Sequence, residues 1–277
     1  MYPVHPQQTL GDDHFDHLVE HGFVILPAFI QGEELATLQA AQRRVLKSWE
    51  QVKENPPSGL AEAVTFPYGD TVMAGLFPHP ELLKLGRRYL KTEKVFFIGG
   101  TMLTRYPGCN PIDPGHIDNG NNSLLPMTRT AREYSQLTFW IHLEEVGVDQ
   151  APLMLVSHKD NRDNSKAIPL ACPAGSVLVF TNYTWHFASK YLRPDGQRFS
   201  WGFMLGRADH PFEGLTSYTA MGQNPIFSKM IGGLSAEDRQ LFRFPPPNDA
   251  YYTKETLAAL EQQYPGWNAR GEYSPVD

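Results

Sequence analysis

The hydrophobic rhythm of the chain changes near residue 94. Before that point apolar positions recur at helical spacing, interrupted by one short apolar run. Asp12 and Asp13 predict a helix start, with the helix running through Glu20 and ending at Gly22. Phe23-Val24-Ile25-Leu26 reads as a buried strand closed by Pro27. Leu35, Leu38, Val45, Leu46 and Trp49 predict a helix over 33–52, and Asn55-Pro56-Pro57-Ser58-Gly59 breaks it. Pro80–Leu90 reads as a further helix with proline in its first turn. Beyond residue 94, short runs rich in Val, Phe, Thr and Trp alternate with Gly, Pro and Asn clusters. They predict strands over Val95–Tyr106, Gln136–Leu143, Pro152–Ser157, Ser176–Thr181 and Phe199–Leu205. The rhythm is lost after Gly206, and a Pro-rich stretch, Phe244-Pro245-Pro246-Pro247, precedes a final helix near Thr253–Gln263. The pattern implies a mainly β fold with flanking helices, a sandwich or jelly roll. We read residues 1–277 as one domain: a helical region over about 1–93, a core over about 94–206 and a C-terminal extension over about 207–277.

Strand parity sharpens this reading. In Gln136–Leu143 one face carries Leu137, Phe139, Ile141 and Leu143; the other carries Gln136, Thr138, Trp140 and His142. A polar-aromatic face suits a barrel whose interior holds a site, although such a face can equally point to water.

Composition narrows the function classes. With 277 residues, 41% hydrophobic and 19% charged, the chain is an ordinary globular protein with a sizeable core. A net charge of −6 and a pI of about 5.9 argue against nucleic acid or an anionic membrane as partner. No apolar run is long enough to span a bilayer, and the N-terminus lacks the basic and apolar regions of a signal peptide. Cys109 and Cys172 are too few for a disulfide framework, which fits a reducing, cytoplasmic setting.

The candidate chemistry lies in two fragments. Gly115-His116-Ile117-Asp118 places an imidazole and a carboxylate on one side of an extended segment, because residues i and i+2 share a face. Tyr183-Thr184-Trp185-His186 supplies a second imidazole, and Arg198 follows at the start of a strand with Ser200 on the same face. Two histidines and one carboxylate leave about three positions open on a metal, the facial arrangement of non-heme Fe(II) oxygenases. A guanidinium fork behind them suits a small carboxylic acid as co-substrate. Arg193 is a second candidate for that role, but Arg193-Pro194-Asp195-Gly196 reads as an exposed turn. Each piece is weak by itself; their order across strand-rich sequence is what carries the reading.

The sequence resembles the phytanoyl-CoA dioxygenase family of Fe(II)/2-oxoglutarate-dependent oxygenases. The resemblance runs from about Phe23 to Leu205. It is carried by Leu103-Thr104-Arg105-Tyr106-Pro107-Gly108, His116-Ile117-Asp118, Phe139-Trp140-Ile141, Ala151–Lys159, Pro173-Ala174-Gly175-Ser176, and Trp185-His186 with Arg198. It implies a double-stranded β-helix (jelly roll, cupin-like) with the metal on His116, Asp118 and His186 and 2-oxoglutarate on Arg198. Thr101, Thr104 and Trp140 would support the co-substrate; Ser200, read from the strand pattern as sharing the face of Arg198, offers a hydroxyl as a second donor. Two positions depart from the family pattern: Val156 precedes Ser157 where glycine is common, and Ala188 stands where a small hydroxyl is common. His158 belongs to the turn after Ser157 and is not assigned to the metal. Asp118 is a carboxylate, which disfavours halogenation.

What the resemblance implies for function is a dioxygenase that takes Fe(II), 2-oxoglutarate and O2. It would release succinate and CO2 and oxidise, most often hydroxylate, an aliphatic C–H. The expected substrate is a small metabolite, an amino-acid derivative or a natural-product intermediate. Its contacts would come from the loop 119–135 (Asn119, Arg129, Arg132, Tyr134) and from segments before residue 80 and after residue 206. Acyl-CoA is the alternative substrate, disfavoured because the chain is acidic and shows no peroxisomal address. A Zn(II) hydrolase or isomerase on the same scaffold has no use for Arg198. A metal-free binding protein has no use for the three ligand side chains.

Overall fold

A computed structural model describes residues 9–75, 79–118, 136–207, 224–242 and 244–276. Among the described residues, nine strands form two facing antiparallel sheets: β1 (Phe23–Leu26), β2 (Ala61–Thr65), β3 (Val95–Arg105), β4 (Gln136–His142), β5 (Leu153–Val156), β6 (Ile168–Pro169), β7 (Ser176–Thr181), β8 (Trp185–Ala188) and β9 (Arg198–Arg207). The larger sheet has the order β1-β7-β4-β9-β3-β2 and the smaller β6-β5-β8. The helices are α1 (Asp12–His21), α2 (Gly32–Val45), α3 (Trp49–Val52), α4 (Thr71–Ala74), α5 (Pro80–Leu90), α6 (Pro225–Gly233), α7 (Ala236–Arg239) and α8 (Lys254–Gln263).

The larger sheet, apart from its edge strand β2, is largely buried on both faces, which is why its central strands are so apolar. Leu137, Phe139 and Ile141 of β4, Val177 and Val179 of β7, and Trp201, Phe203 and Leu205 of β9 pack with the helices in one core. Gly86 of α5 lets that helix lie against Leu205 and Phe139. The opposite face meets the smaller sheet through Leu178 and Phe180 of β7, with Leu155, Leu170 and Val146. β1 shows the same division within four residues: Phe23 and Ile25 join the inter-sheet cluster, Val24 and Leu26 the helical one. A continuous apolar run is what such a two-sided position demands.

Several expectations are corrected in detail. Gly11, not Asp12 or Asp13, is the N-cap of α1, and the two acids occupy its first turn, where they favour the helix dipole. Gly22 does end α1, at φ +84°, and is required twice over: a side chain there would strike the His158 ring. The helix expected over 33–52 is two helices. Leu46 is extended, and Ser48-Trp49-Glu50-Gln51 starts afresh with the Ser48 N–H donating to Gln51 Oε1 at 2.8 Å. The N-terminal region, read as helical with one strand, supplies both edges of the larger sheet, because Ala61–Thr65 pairs with β3.

Two buried histidines make stability depend on pH. His142 and His79 are almost fully buried, and burial pulls their pKa values down from 6.5 to about 3 and about 4. The unfolded chain protonates these groups below 6.5 while the folded chain holds them neutral, so stability is full above that pH and is lost as pH falls toward the folded values. Each histidine is expected to cost on the order of 1 kcal/mol by pH 5.5. Denaturant unfolding from pH 8 to 5 checks this; a flat profile below 6.5 contradicts it.

Candidate functional site

The two histidines are brought together by backbone pairing. His116 and His186 form an antiparallel bridge in which each N–H donates to the other's carbonyl at 3.0 Å. Residues so paired present their side chains on the same face, and the two rings lie 4.4 Å apart. Asp118, two residues on, returns to that face while Ile117 turns inward and is buried. One ligand atom from each of His116, Asp118 and His186 lies within 4.8 Å of the others. His186 lies on β8, which the sequence pattern did not show as a strand.

Both imidazoles are oriented as ligands. His186 Nδ1 sits 2.9 Å from the Thr184 carbonyl, so it carries the proton and leaves the Nε2 lone pair facing Asp118 Oδ1 at 3.6 Å. His116 Nδ1 sits 3.3 Å from Asp113 Oδ1, with the same consequence. Asp118 Oδ2 accepts a 3.4 Å hydrogen bond from Thr138, on the polar face of β4. The cluster is open on one side: the His186 side chain is 7% exposed, Asp118 27% and His116 52%.

Asp113 has no place among the residues picked out from sequence, yet it ties the site together. Its Oδ1 also accepts from the Gly115 N–H, and its Oδ2 accepts from the Ala188 N–H at 2.8 Å. Burial pushes its carboxyl pKa up, but the Ala188 and Gly115 amides and His116 outweigh that and hold it low. Gly115, at φ +102°, is needed because a side chain there would overlap the Trp185 ring. Asp113→Asn would set an amide NH2 against a donor. Fe(II) affinity is expected to fall roughly 10- to 100-fold. A metal titration at fixed pH checks this; 2-oxoglutarate affinity at saturating metal should not change.

The described residues surround a cavity of about 290 Å³ that contains the triad. Thr138 and Trp140 line it, so the polar-aromatic face of β4 points into the barrel and not to water. Trp140 Nε1 is buried without a partner among the described residues, and its ring lies over Gly202, where a side chain would overlap it. Arg198 lines the cavity at 6% exposure. Its Nη1 donates to the Ala151 carbonyl, and its Nε has no partner among the described residues. Burial, and then the Arg105 guanidinium, pull its pKa down to about 9, so it stays a cation at neutral pH. An uncompensated buried guanidinium is expensive unless an anion is to join it, and the donor set fits a carboxylate.

The remaining expected residues divide. Thr101 lines the cavity beside Leu103 and Arg105. Thr104 does not: it has the opposite parity on β3 and is buried on the helix-facing side, so it cannot support a co-substrate. Ser200 lies on the face of Arg198 and Gly202, but it is buried and its hydroxyl donates to Leu103 O at 3.4 Å. Arg193 pairs with Asp149 at 2.9 Å, away from the cavity. His158 opens the turn after β5 and stays outside the metal cluster. Asn119, Arg129, Arg132 and Tyr134 lie outside the described residues.

Two facing antiparallel sheets with a His-Asp-His cluster between them define a double-stranded β-helix of the metal-dependent kind. The chain belongs to the phytanoyl-CoA dioxygenase (PhyH) family, whose profile matches residues 18–192. It is thereby an Fe(II)- and 2-oxoglutarate-dependent oxygenase. The fold is similar to that of the non-heme α-ketoglutarate-dependent carbocyclase SnoK from nogalamycin biosynthesis, with TM-score 0.56, 17% identity, and 80% of this chain and 94% of that one covered. It is also similar to HygX from Streptomyces hygroscopicus with nickel and 2-oxoglutarate bound, with TM-score 0.55, 15% identity and coverage of 73% and 89%. A third similar fold is the epimerase SnoN from nogalamycin biosynthesis, with TM-score 0.54, 18% identity and coverage of 71% and 82%. No curated protein matches the chain by sequence. Among the described residues no helix is long and apolar enough to cross a membrane.

Proposed function

We propose that this oxygenase holds Fe(II) on His116, Asp118 and His186 and oxidises, by hydroxylation, an aliphatic C–H of a small metabolite or natural-product intermediate. The observation that carries the reading is the convergence of two imidazoles and a carboxylate beside a buried arginine that has no carboxylate partner among the described residues. Iron and 2-oxoglutarate, once bound, supply the oxidation of the C–H bond with release of succinate and CO2. The chain's own residues do the rest. Thr184 and Asp113 hold the imidazole protons on Nδ1, Thr138 orients Asp118, and Arg198 takes the far carboxylate of 2-oxoglutarate. Thr101 and Trp140 flank that co-substrate. The barrel walls, including Leu103, Leu153 and Phe180, keep water from the reacting centre. A small-molecule substrate is supported by the modest cavity and by the solved relatives, one of which holds hygromycin B. A reducing, cytoplasmic location is supported by Cys109 and Cys172, both buried and unpaired.

The first test is anaerobic. Fe(II) and then 2-oxoglutarate are added to the metal-free protein, and the visible charge-transfer band of the chelate is followed. A band requiring both additions is expected, and it permits substrate screening by succinate release. Bound Fe(II) without a band on adding 2-oxoglutarate contradicts the co-substrate assignment.

A further inference from the structure

The register that places Arg198 in the cavity places a second arginine beside it. Arg105 is the direct cross-strand partner of Arg198 in the β3–β9 ladder, and both line the cavity. Residues directly opposite on one face of an antiparallel pair have Cβ atoms about 4.5–5.5 Å apart, and like charges so placed are destabilising. The cavity's own carboxylates do not relieve them. Asp118 is engaged by His186 and Thr138, and Asp113 by His116, Gly115 and Ala188. Among the described residues neither arginine has an ion-pair partner. The Nε of Arg198 is left over in a side chain that is more than nine-tenths buried.

We propose that Arg105 is a second binding residue for 2-oxoglutarate, closing with Arg198 on its far carboxylate. The inference rests on the reading of this cavity as an Fe(II)/2-oxoglutarate site. A carboxylate has about four lone-pair directions, more than one fork can fill. Arg198 has already given Nη1 to Ala151, so part of its own fork is spent. Arg105 is half-buried and approaches from the neighbouring strand, where it can reach the oxygen that Arg198 leaves. The ladder also separates the two ends of the cavity. Asp118 contacts Thr138, opposite Met204; Trp140 lies opposite Gly202; and Arg198 lies further along β9, with Arg105 opposite it at the end of β3. An anion chelated at the metal end thus meets both guanidiniums only through its far end. The consequence is a site selective for dicarboxylic over monocarboxylic 2-oxo acids.

The test uses the full chain loaded anaerobically with Fe(II) and reads the charge-transfer band against added ligand. The ligands are 2-oxoglutarate and 2-oxopentanoate, which has the same carbon chain without the far carboxylate. Arg105→Gln is expected to weaken 2-oxoglutarate about tenfold or more and to leave 2-oxopentanoate within about twofold. Arg105→Lys, which keeps the charge and loses the fork, is expected to fall between. Unchanged 2-oxoglutarate affinity in Arg105→Gln overturns the clamp and turns Arg105 toward the primary substrate. Equal loss of both ligands, or Arg105→Lys as weak as Arg105→Gln with Fe(II) binding intact, overturns it as well. Absence of any band in the unsubstituted protein instead removes the co-substrate reading on which the clamp stands.

Discussion

His186→Ala is expected to eliminate measurable Fe(II) binding. Changes to groups that merely orient a ligand cost about 10- to 100-fold in metal affinity; loss of the ligand itself should exceed about 100-fold. The local structure explains why nothing substitutes for it. His186 is the least exposed of the three, wedged edge-on against Phe180 at 5.0 Å, with Nδ1 fixed to Thr184 O. No other histidine belongs to the cluster among the described residues. The backbone bridge to His116 does not use the ring and should survive the substitution. Anaerobic metal titration, with circular dichroism to verify the fold, decides the matter. Metal affinity equal to that of the unsubstituted protein removes His186 from the ligand set.

The triad was legible because strand geometry translates spacing into direction. His116 and Asp118 are two apart, so any extended conformation puts them on one side. The parity of β4 was legible for the same reason: Leu137, Phe139 and Ile141 alternate with Thr138 and Trp140 along one strand. What sequence could not show was the pairing of distant segments. His186 had no strand around it in the pattern, because Trp185–Ala188 is short and paired with Leu153–Val156 on one side and the His116 bridge on the other. Asp113 was invisible for a related reason. Nothing in Pro111–Pro114 implies that a carboxylate there will meet the Ala188 amide.

Thr104 shows the converse hazard. It lies in the family-like stretch Leu103–Gly108, and a hydroxyl there looked useful, yet β3 is regular at that point and alternation sends Thr104 away from the cavity while Thr101, Leu103 and Arg105 face it. The register shift in β3 lies earlier, between Phe97 and Gly99, so both threonines follow it and cannot share a face. Thr101 and Thr104 are three apart, an odd number, and parity alone would have excluded assigning both to one co-substrate. The break between α2 and α3 was likewise within reach of the sequence, since Ser48-Trp49-Glu50-Gln51 has the spacing of a capping box inside what otherwise reads as one helix. The pairing of Ala61–Thr65 was not, because a half-buried edge strand that opens Ala-Glu-Ala lacks the dense β-branched and aromatic texture of the central strands.

Arg198→Met should separate the co-substrate from the metal and from the fold. The methionine keeps an apolar stem of similar length and discards the guanidinium. Removing one partner of a buried, hydrogen-bonded charge pair costs about 2–5 kcal/mol, so 2-oxoglutarate affinity is expected to fall at least about 30-fold. Fe(II) affinity should stay within about twofold of its original value, since Arg198 touches none of the three ligands. Stability should move the other way. In the ligand-free protein the guanidinium is buried beside Arg105, and a well-packed apolar side chain in place of an uncompensated charge is neutral or stabilising. The unsubstituted protein gains about 2.7 kcal/mol from ligand at a hundred times its dissociation constant; at that same concentration the variant should gain far less. Thermal unfolding of both proteins, with and without 2-oxoglutarate in the presence of Fe(II), therefore yields a crossing: the variant at least as stable when empty, the unsubstituted protein more stable when loaded. A variant that gains as much from 2-oxoglutarate as the unsubstituted protein shows that Arg198 does not hold the far carboxylate. A variant destabilised when empty shows that the guanidinium, through Ala151, is part of what holds the barrel together.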